Sequence, residues 1–209
     1  MPLCIDTIAL GPLQTNCYVL RSGGDCWVVD PGMWPQPLMD FLGKQSAAPS
    51  AALLTHGHGD HIGGVDALRK AFPAMKVLCP AGDAAMLTDA DLNLSAPFGM
   101  PVAVAAADEL LAPGDSLELG ETRWQVLDTA GHTPGGVSYY CPAEAVVITG
   151  DALFSASIGR TDIPGGDGER LVENLRQHLL SLPDETRVLP GHGPATTIGR
   201  ERRLNPFLL

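Results

Sequence analysis

The stretch AALLTHGHGDHIGG, residues 51–64, carries more of the meaning of this chain than any other. Ala51–Thr55 is a short apolar run of strand type. It feeds without a break into Thr55-His56-Gly57-His58-Gly59-Asp60-His61. The loop is too small and too glycine-rich to bury anything else, and its glycines let the backbone fold tightly enough for neighbouring side chains to converge on one ion. Imidazole together with carboxylate suits zinc and its first-row neighbours. A single loop histidine is ordinarily a solvated polar residue, but HxHxDH at a strand end is a metal-binding pattern.

Three further segments extend the pattern along the chain: Gly131-His132-Thr133, Gly150-Asp151 and Gly191-His192-Gly193. Each closes an expected strand, ending at Asp128, Thr149 and Leu189. Of the six histidines, only His178 lies elsewhere, beside Gln177 in an expected helix, Gly168–Leu182, where it reads as a surface residue. Strands are expected at Leu3–Leu10, Cys17–Arg21, Cys26–Asp30, Lys76–Cys79, Ser116–Leu119, Arg123–Asp128, Val137–Cys141, Ala145–Thr149 and Arg187–Leu189. Helical spacing marks Gln36–Lys44, Ile62–Phe72, Gly82–Thr88 and Ile198–Leu204. Asp89–Ala107 is poorly patterned and reads as an irregular surface segment. Strands in two batches, each followed by helices, predict two packed sheets with helices on both outer faces.

Composition narrows the partners. The length of 209 residues fits one domain spanning residues 1–209. A net charge of −11, from 13 Lys+Arg against 24 Asp+Glu, repels duplex nucleic acid and anionic membrane surfaces. The opening MPLCIDTIALGPLQTN does not read as a signal peptide, and no apolar run reaches the ~18 residues of a membrane span. Five cysteines without a CxxC pair read as reduced, buried thiols of a cytoplasmic protein.

THGHGDH, AGHTPGG, TGDALF and LPGHGP, in this order, resemble the metallo-β-lactamase superfamily. Ile158-Gly159-Arg160-Thr161-Asp162-Ile163-Pro164-Gly165-Gly166-Asp167 and the ending HGPATTIGRERRLNPF are similar in particular to its short bacterial glyoxalase II-like members. The resemblance implies an α/β (α+β) fold, a four-layer αβ/βα sandwich with the site at one edge of the two sheets. It implies two divalent metal ions, zinc first, with iron or manganese as substitutes: His56, His58 and His132 around one, Asp60, His61 and His192 around the other, Asp151 between them. Two such ions outweigh two aspartates and a hydroxide, leaving a net positive centre suited to a transition state that gains negative charge. Asp60 would both ligate and orient the attacking hydroxide.

The implied reaction is hydrolysis of a small thioester such as S-lactoylglutathione. Arg160 matches a basic glutathione-contacting position, yet it is equally suited to a structural salt bridge, and Asp162 stands where a tyrosine is expected. Asp151 and the missing leader set this chain apart from true β-lactamases, and the net charge sets it apart from the nuclease members. Persulfide dioxygenases, which use one iron and share a GRTD segment like Gly159–Asp162, are the alternative. Arg200, Arg202 and Arg203 form a basic cluster that reads as a solvated helix face.

Overall fold

In the computed structural model, which describes residues 2–45 and 48–209, the N-terminal part forms a six-stranded sheet with its strands in chain order. These are β1 (Cys4–Leu10), β2 (Thr15–Ser22), β3 (Asp25–Val29), β4 (Ala51–Leu53), β5 (Lys76–Pro80) and β6 (Glu109–Leu111). The sequence β1–β3 is antiparallel, and β3 to β6 run parallel. Parallel pairing demands crossovers, and these carry α1 (Gln36–Leu42), α2 (Gly59–Ile62) and α3 (Val65–Ala71).

The second sheet runs β14-β13-β10-β9-β8-β7. Its members are β7 (Ser116–Leu119), β8 (Thr122–Asp128), β9 (Val137–Cys141), β10 (Val146–Gly150), β13 (Arg187–Pro190) and β14 (Thr196–Thr197). β11 (Leu153–Phe154) and β12 (Ser157–Ile158) form a small separate hairpin. α4 (Gly168–Asn174) continues through a wider π-type turn over Leu175–Leu179, and α5 (Ile198–Leu204) follows. Asp167 caps α4 by accepting from Arg170 N, and Thr197 caps α5 by accepting from Arg200 N.

Side-chain alternation explains the four layers. In β2 and β3, Tyr18, Leu20, Trp27 and Val29 point to the space between the sheets, where they meet Trp124, Tyr139, Ile148 and Leu189 from the other sheet. The alternate residues Cys17, Val19, Cys26 and Val28 face outward onto Leu38, Ile62, Val65 and Leu68 of the first helices. Val147 and Val188 likewise face Leu171, Leu175 and Ile198. Both faces of the central strands are covered, so these strands read as unbroken apolar runs.

The expected helix over Ile62–Phe72 is instead two, because Gly63 and Gly64 interrupt it between Ile62 and Val65. β6, β11, β12 and β14 were not anticipated, being two or three residues long and too short for a period to show. No regular element lies between Asp89 and Ala107, as expected. That segment is nonetheless not merely surface: Asn93, Ser95 and Val104 are buried. All five cysteines are free, four of them buried and Cys4 exposed. No helix among the described residues is long and apolar enough to cross a membrane.

Candidate metal centre

β3 and β4 end at one edge of the first sheet, and β8, β10 and β13, which run in the same direction, end at one edge of the second. The two edges are stitched together. Tyr18 Oη donates to Pro190 O at 2.6 Å, Tyr139 Oη to Leu54 O at 2.6 Å, and Asn16 N to Gly191 O at 2.7 Å. The loops leaving these strands bring together all seven side chains named from the sequence.

His56, His58 and His132 form one group whose candidate ligand atoms lie within 4.8 Å of one another, and Asp60, His61 and His192 form another. His132 Nε2 is 3.0 Å from His58 Nδ1, and His61 Nε2 is 3.3 Å from His192 Nε2. Asp60 Oδ2 lies 3.4 Å from His61 Nε2 and 3.2 Å from His192 Nε2. Asp151 faces both groups: its Oδ1 is 3.4 Å from His61 Nε2, and its Oδ2 is 3.6 Å from His132 Nε2 and 3.5 Å from His192 Nε2. Glycine makes this approach possible at two places. A methyl group at Gly191 would overlap Asp151 Oδ1, and one at Gly150, whose φ is +48°, would overlap the Thr55 hydroxyl.

The far sides of the rings are tied down. His61 Nδ1 sits 3.0 Å from Asp30 Oδ2, His132 Nδ1 2.8 Å from Arg160 O, His192 Nδ1 3.1 Å from Leu13 O, and His56 Nδ1 3.0 Å from the Thr55 hydroxyl. Where Nδ1–H donates to a carboxylate or carbonyl, as in His61, His132 and His192, Nε2 is left as a bare lone pair turned toward the cluster. Buried His56 Nε2, His58 Nε2 and Asp151 Oδ1 have no hydrogen-bond partner. Nitrogens facing one another at 3.3 Å, beside two carboxylates, repel unless a proton or a metal ion lies among them. The donor set therefore fits divalent metal ions.

Three supporting residues are not legible in the sequence. Asp30, read only as the end of a strand, adopts φ 51°, a region costly for residues other than glycine, and this turns its carboxylate back under the site. It accepts from Thr55 N at 2.8 Å and Thr55 Oγ1 at 2.7 Å besides meeting His61. With its oxygens so engaged, Asp30 orients His61 rather than ligating, although it lies near His56 as well. Asp83, fully buried, accepts from Gly57 N at 3.0 Å and Gly135 N at 2.7 Å, clamping the loop of His56 and His58 to that of His132. Burial pushes its carboxyl above the usual range, those two bonds opposing. Thr15 also contributes, its hydroxyl donating to Asp60 Oδ2 at 2.9 Å.

In the metal-free protein the two groups differ electrostatically. Burial, then the neighbouring histidines, hold His56 well below the usual imidazole range. Burial and His132 bring His58 down to about 3. For His192, burial is outweighed by Asp151 and Asp60, which raise it to about 9. His61 is raised too, the nearby aspartates Asp60, Asp151 and Asp30 overcoming its burial. Against burial, His61 and His192 bring Asp60 down to about 2.

The cluster floors a cavity of about 350 Å³. Leu94, Phe98 and Met100 of the irregular segment form part of its wall, and Gly59 N donates to Asn93 O at 2.9 Å, fastening that segment to the ligand loop. Arg160 is on the cavity wall, in a two-pronged bond with Asp162 at 2.8 and 2.9 Å. Of the C-terminal arginines, Arg202 and Arg203 pair with Asp184. His178 lies in the extension of α4, outside the cluster and half-buried rather than at the surface.

Residues 10–192 match the model of the metallo-beta-lactamase superfamily, and the chain belongs to that family. It is 40% identical to the probable metallo-hydrolase YqgX of Bacillus subtilis, over 95% of this chain and 94% of that protein. It is 33% identical to the hydroxyacylglutathione hydrolase GloC of Haemophilus influenzae, over 98% and 97%. Among solved structures, BLEG-1, described as a B3 metallo-beta-lactamase, superposes with a TM-score of 0.93 at 43% identity, covering 98% of this chain and 99% of that one. TTHA1623 in a di-iron-bound form gives 0.88 at 40%, covering 97% and 100%. ETHE1 from Myxococcus xanthus gives 0.80 at 27%, covering 97% and 83%. The fold and the His/Asp cluster are those of a metal-dependent hydrolase of this superfamily.

Proposed function

We propose that this chain hydrolyses a small thioester, S-lactoylglutathione or a related one, at a dinuclear centre. In this reading His56, His58 and His132 would hold one divalent ion and Asp60, His61 and His192 the other, with Asp151, which faces both groups, shared between them and zinc the expected metal. The observation that carries the dinuclear reading is the meeting of imidazole nitrogens from both groups with two carboxylates at 3.2 to 3.6 Å around Asp60 and Asp151. The similarity to GloC supports the thioester.

Divalent ions bound there supply an acidified water and Lewis-acid polarisation of a carbonyl. The residues supply the rest. Asp60, held by Thr15, accepts a hydrogen bond from the attacking water and aims its lone pair at the thioester carbon. Asp30, Arg160 O and Leu13 O fix the ring tautomers, so that His61, His132 and His192 need no reorientation. A thiol whose ordinary pKa is near ~8.5 leaves as thiolate without a dedicated acid. The apolar wall keeps bulk water from the reacting carbon.

Two other reactions compete. β-Lactam hydrolysis, set aside in the sequence on Asp151 and the N-terminus, returns because BLEG-1 is 43% identical along almost its whole length. Persulfide dioxygenation at a single iron has in its favour the GRTD segment and the likeness to ETHE1. The test supplies S-lactoylglutathione, a cephalosporin and glutathione persulfide to protein reconstituted with zinc or ferrous iron. Thiol release from the thioester is expected with a two-ion protein. Oxygen uptake with iron and persulfide alone would hand the site to the dioxygenase reading, and faster lactam opening would hand it to the lactamase reading.

A further inference from the structure

The cavity above the cluster has one pronounced chemical bias. Leu13, Met33, Leu94, Phe98, Met100 and Ile163 make up most of its wall away from the histidines and aspartates. Its volume of about 350 Å³ lies near the lower end of the ~300–1,000 Å³ typical of small-molecule sites. Phe98 is 65% exposed, so a large ring stands at the mouth with little of its surface covered by protein.

Among the described lining residues Arg160 is the single arginine or lysine. It is already engaged: Nε and NH2 donate to the two oxygens of Asp162, whose side chain is 73% exposed against 59% for Arg160. A planar fork meeting a carboxylate with both prongs is the strongest geometry an exposed ion pair adopts. A carboxylate on an incoming substrate would have to displace Asp162 to use that fork, or meet the remaining Nη1 donors beside a charge already paired, and the chain's net charge of −11 gives it no long-range attraction.

From this wall and this occupied arginine, we infer that the site selects thioesters whose acyl and thiol arms are both uncharged, with a hydrocarbon arm lying against Phe98, Met100 and Leu94. The inference rests on the thioesterase reading and narrows it away from glutathione, whose tripeptide brings two carboxylates.

The test uses matched probes on metal-loaded protein: acetyl, butyryl and hexanoyl thioesters of N-acetylcysteamine, which is uncharged, and the same acyl groups on glutathione. kcat/KM should rise about threefold to fourfold per methylene and should favour the uncharged carrier at every chain length. Phe98→Ala should flatten the chain-length dependence. Asp162→Asn, which frees Arg160, should narrow the gap between carriers by about fivefold, the effect of one exposed ion pair. Both positions are exposed, so neither change threatens folding. Calorimetry with two non-hydrolysable thioethers, S-hexyl-N-acetylcysteamine and S-hexylglutathione, gives a second readout that needs no turnover, and tighter binding of the former is expected. Preference for the glutathione carrier, in turnover and in binding, would overturn the inference and leave the thioesterase reading standing. Absence of all thioester cleavage, with S-hexyl-N-acetylcysteamine still bound more tightly, would overturn the thioesterase reading while the selectivity of the cavity stood. No cleavage and no binding would overturn both.

Discussion

The two halves of the candidate centre hold their histidines in opposite ways. His56, His58 and His132 are all but buried, with no carboxylate of their own, and their second nitrogens meet a hydroxyl, a carbonyl or nothing. Burial keeps His56 and His58 neutral, the form in which imidazole binds a metal. On the other side, Asp60 belongs to the group itself and Asp30 stands behind His61. These carboxylates raise His61 and His192, so the metal-free protein keeps a proton there. The lesson is that one half is preset as a ligand set, whereas the other trades a proton for its ion.

Asp151 is the side chain that faces both halves, and removing it should have the largest effect. Asp151→Ala is expected to lower kcat by about a thousandfold or more, since two cations would then face each other without a bridging charge. A loss of only a few-fold in steady-state turnover would show that the halves work independently.

Asp30→Asn keeps the shape but replaces the carboxylate oxygen at His61 Nδ1. Loss of such a partner typically costs ~10–100-fold in metal affinity, and here the loss should fall more heavily on the Asp60–His61–His192 ion, since Asp30 meets His61 directly and the His56 ring only through Thr55. Competition with a chelator would detect it; equal weakening of both ions would erase the distinction between halves.

The trapped proton also gives a sign to the pH dependence. In the metal-free protein His192 titrates near 9, so below that pH an ion entering the Asp60–His61–His192 group must expel a proton. Its affinity should climb from pH 6 through about 9, where the His192 proton is half lost, by up to about tenfold per pH unit for each proton displaced. The group containing His56 and His58, the latter brought down to about 3, should vary much less. Parallel curves would contradict the comparison.

The smallest effect belongs to Thr15. Thr15→Val removes the hydroxyl that donates to Asp60, a net hydrogen bond to a charged group of ~1.5–3 kcal/mol at most. A several-fold loss of kcat with KM nearly unchanged is expected from steady-state kinetics, because Asp60 is positioned by the hydroxyl while the cavity wall is untouched.

Much of this could be read from the chain. HxHxDH and the three Gly-flanked residues that follow it declare themselves because glycine and ligand sit side by side at strand ends, and the long apolar strands declare the sheets. Asp30 was hidden: a single aspartate after a strand looks like turn chemistry, and only its positive φ, invisible in sequence, brings it under His61. Asp83 lies 26 and 52 residues from the two glycines it joins, so no local spacing betrays it. Residues 89–107 lack periodicity because their backbone follows the cavity rather than a helix or sheet, and the same irregularity that concealed Leu94, Phe98 and Met100 makes them a wall. The sequence allows Arg160 two roles, and the structure shows it on the cavity wall and in an ion pair at once.

The central claim is that seven side chains serve two ions in one chain, and counting ions at saturation tests it most directly. Protein stripped of metal, titrated to saturation with zinc at pH 9, where the His192 proton is already half lost, and measured by elemental analysis after removal of free metal, should hold two ions per chain. The same titration of Asp151→Ala should show at least one of them weakened. A ceiling of one ion per chain at saturating metal would contradict the account.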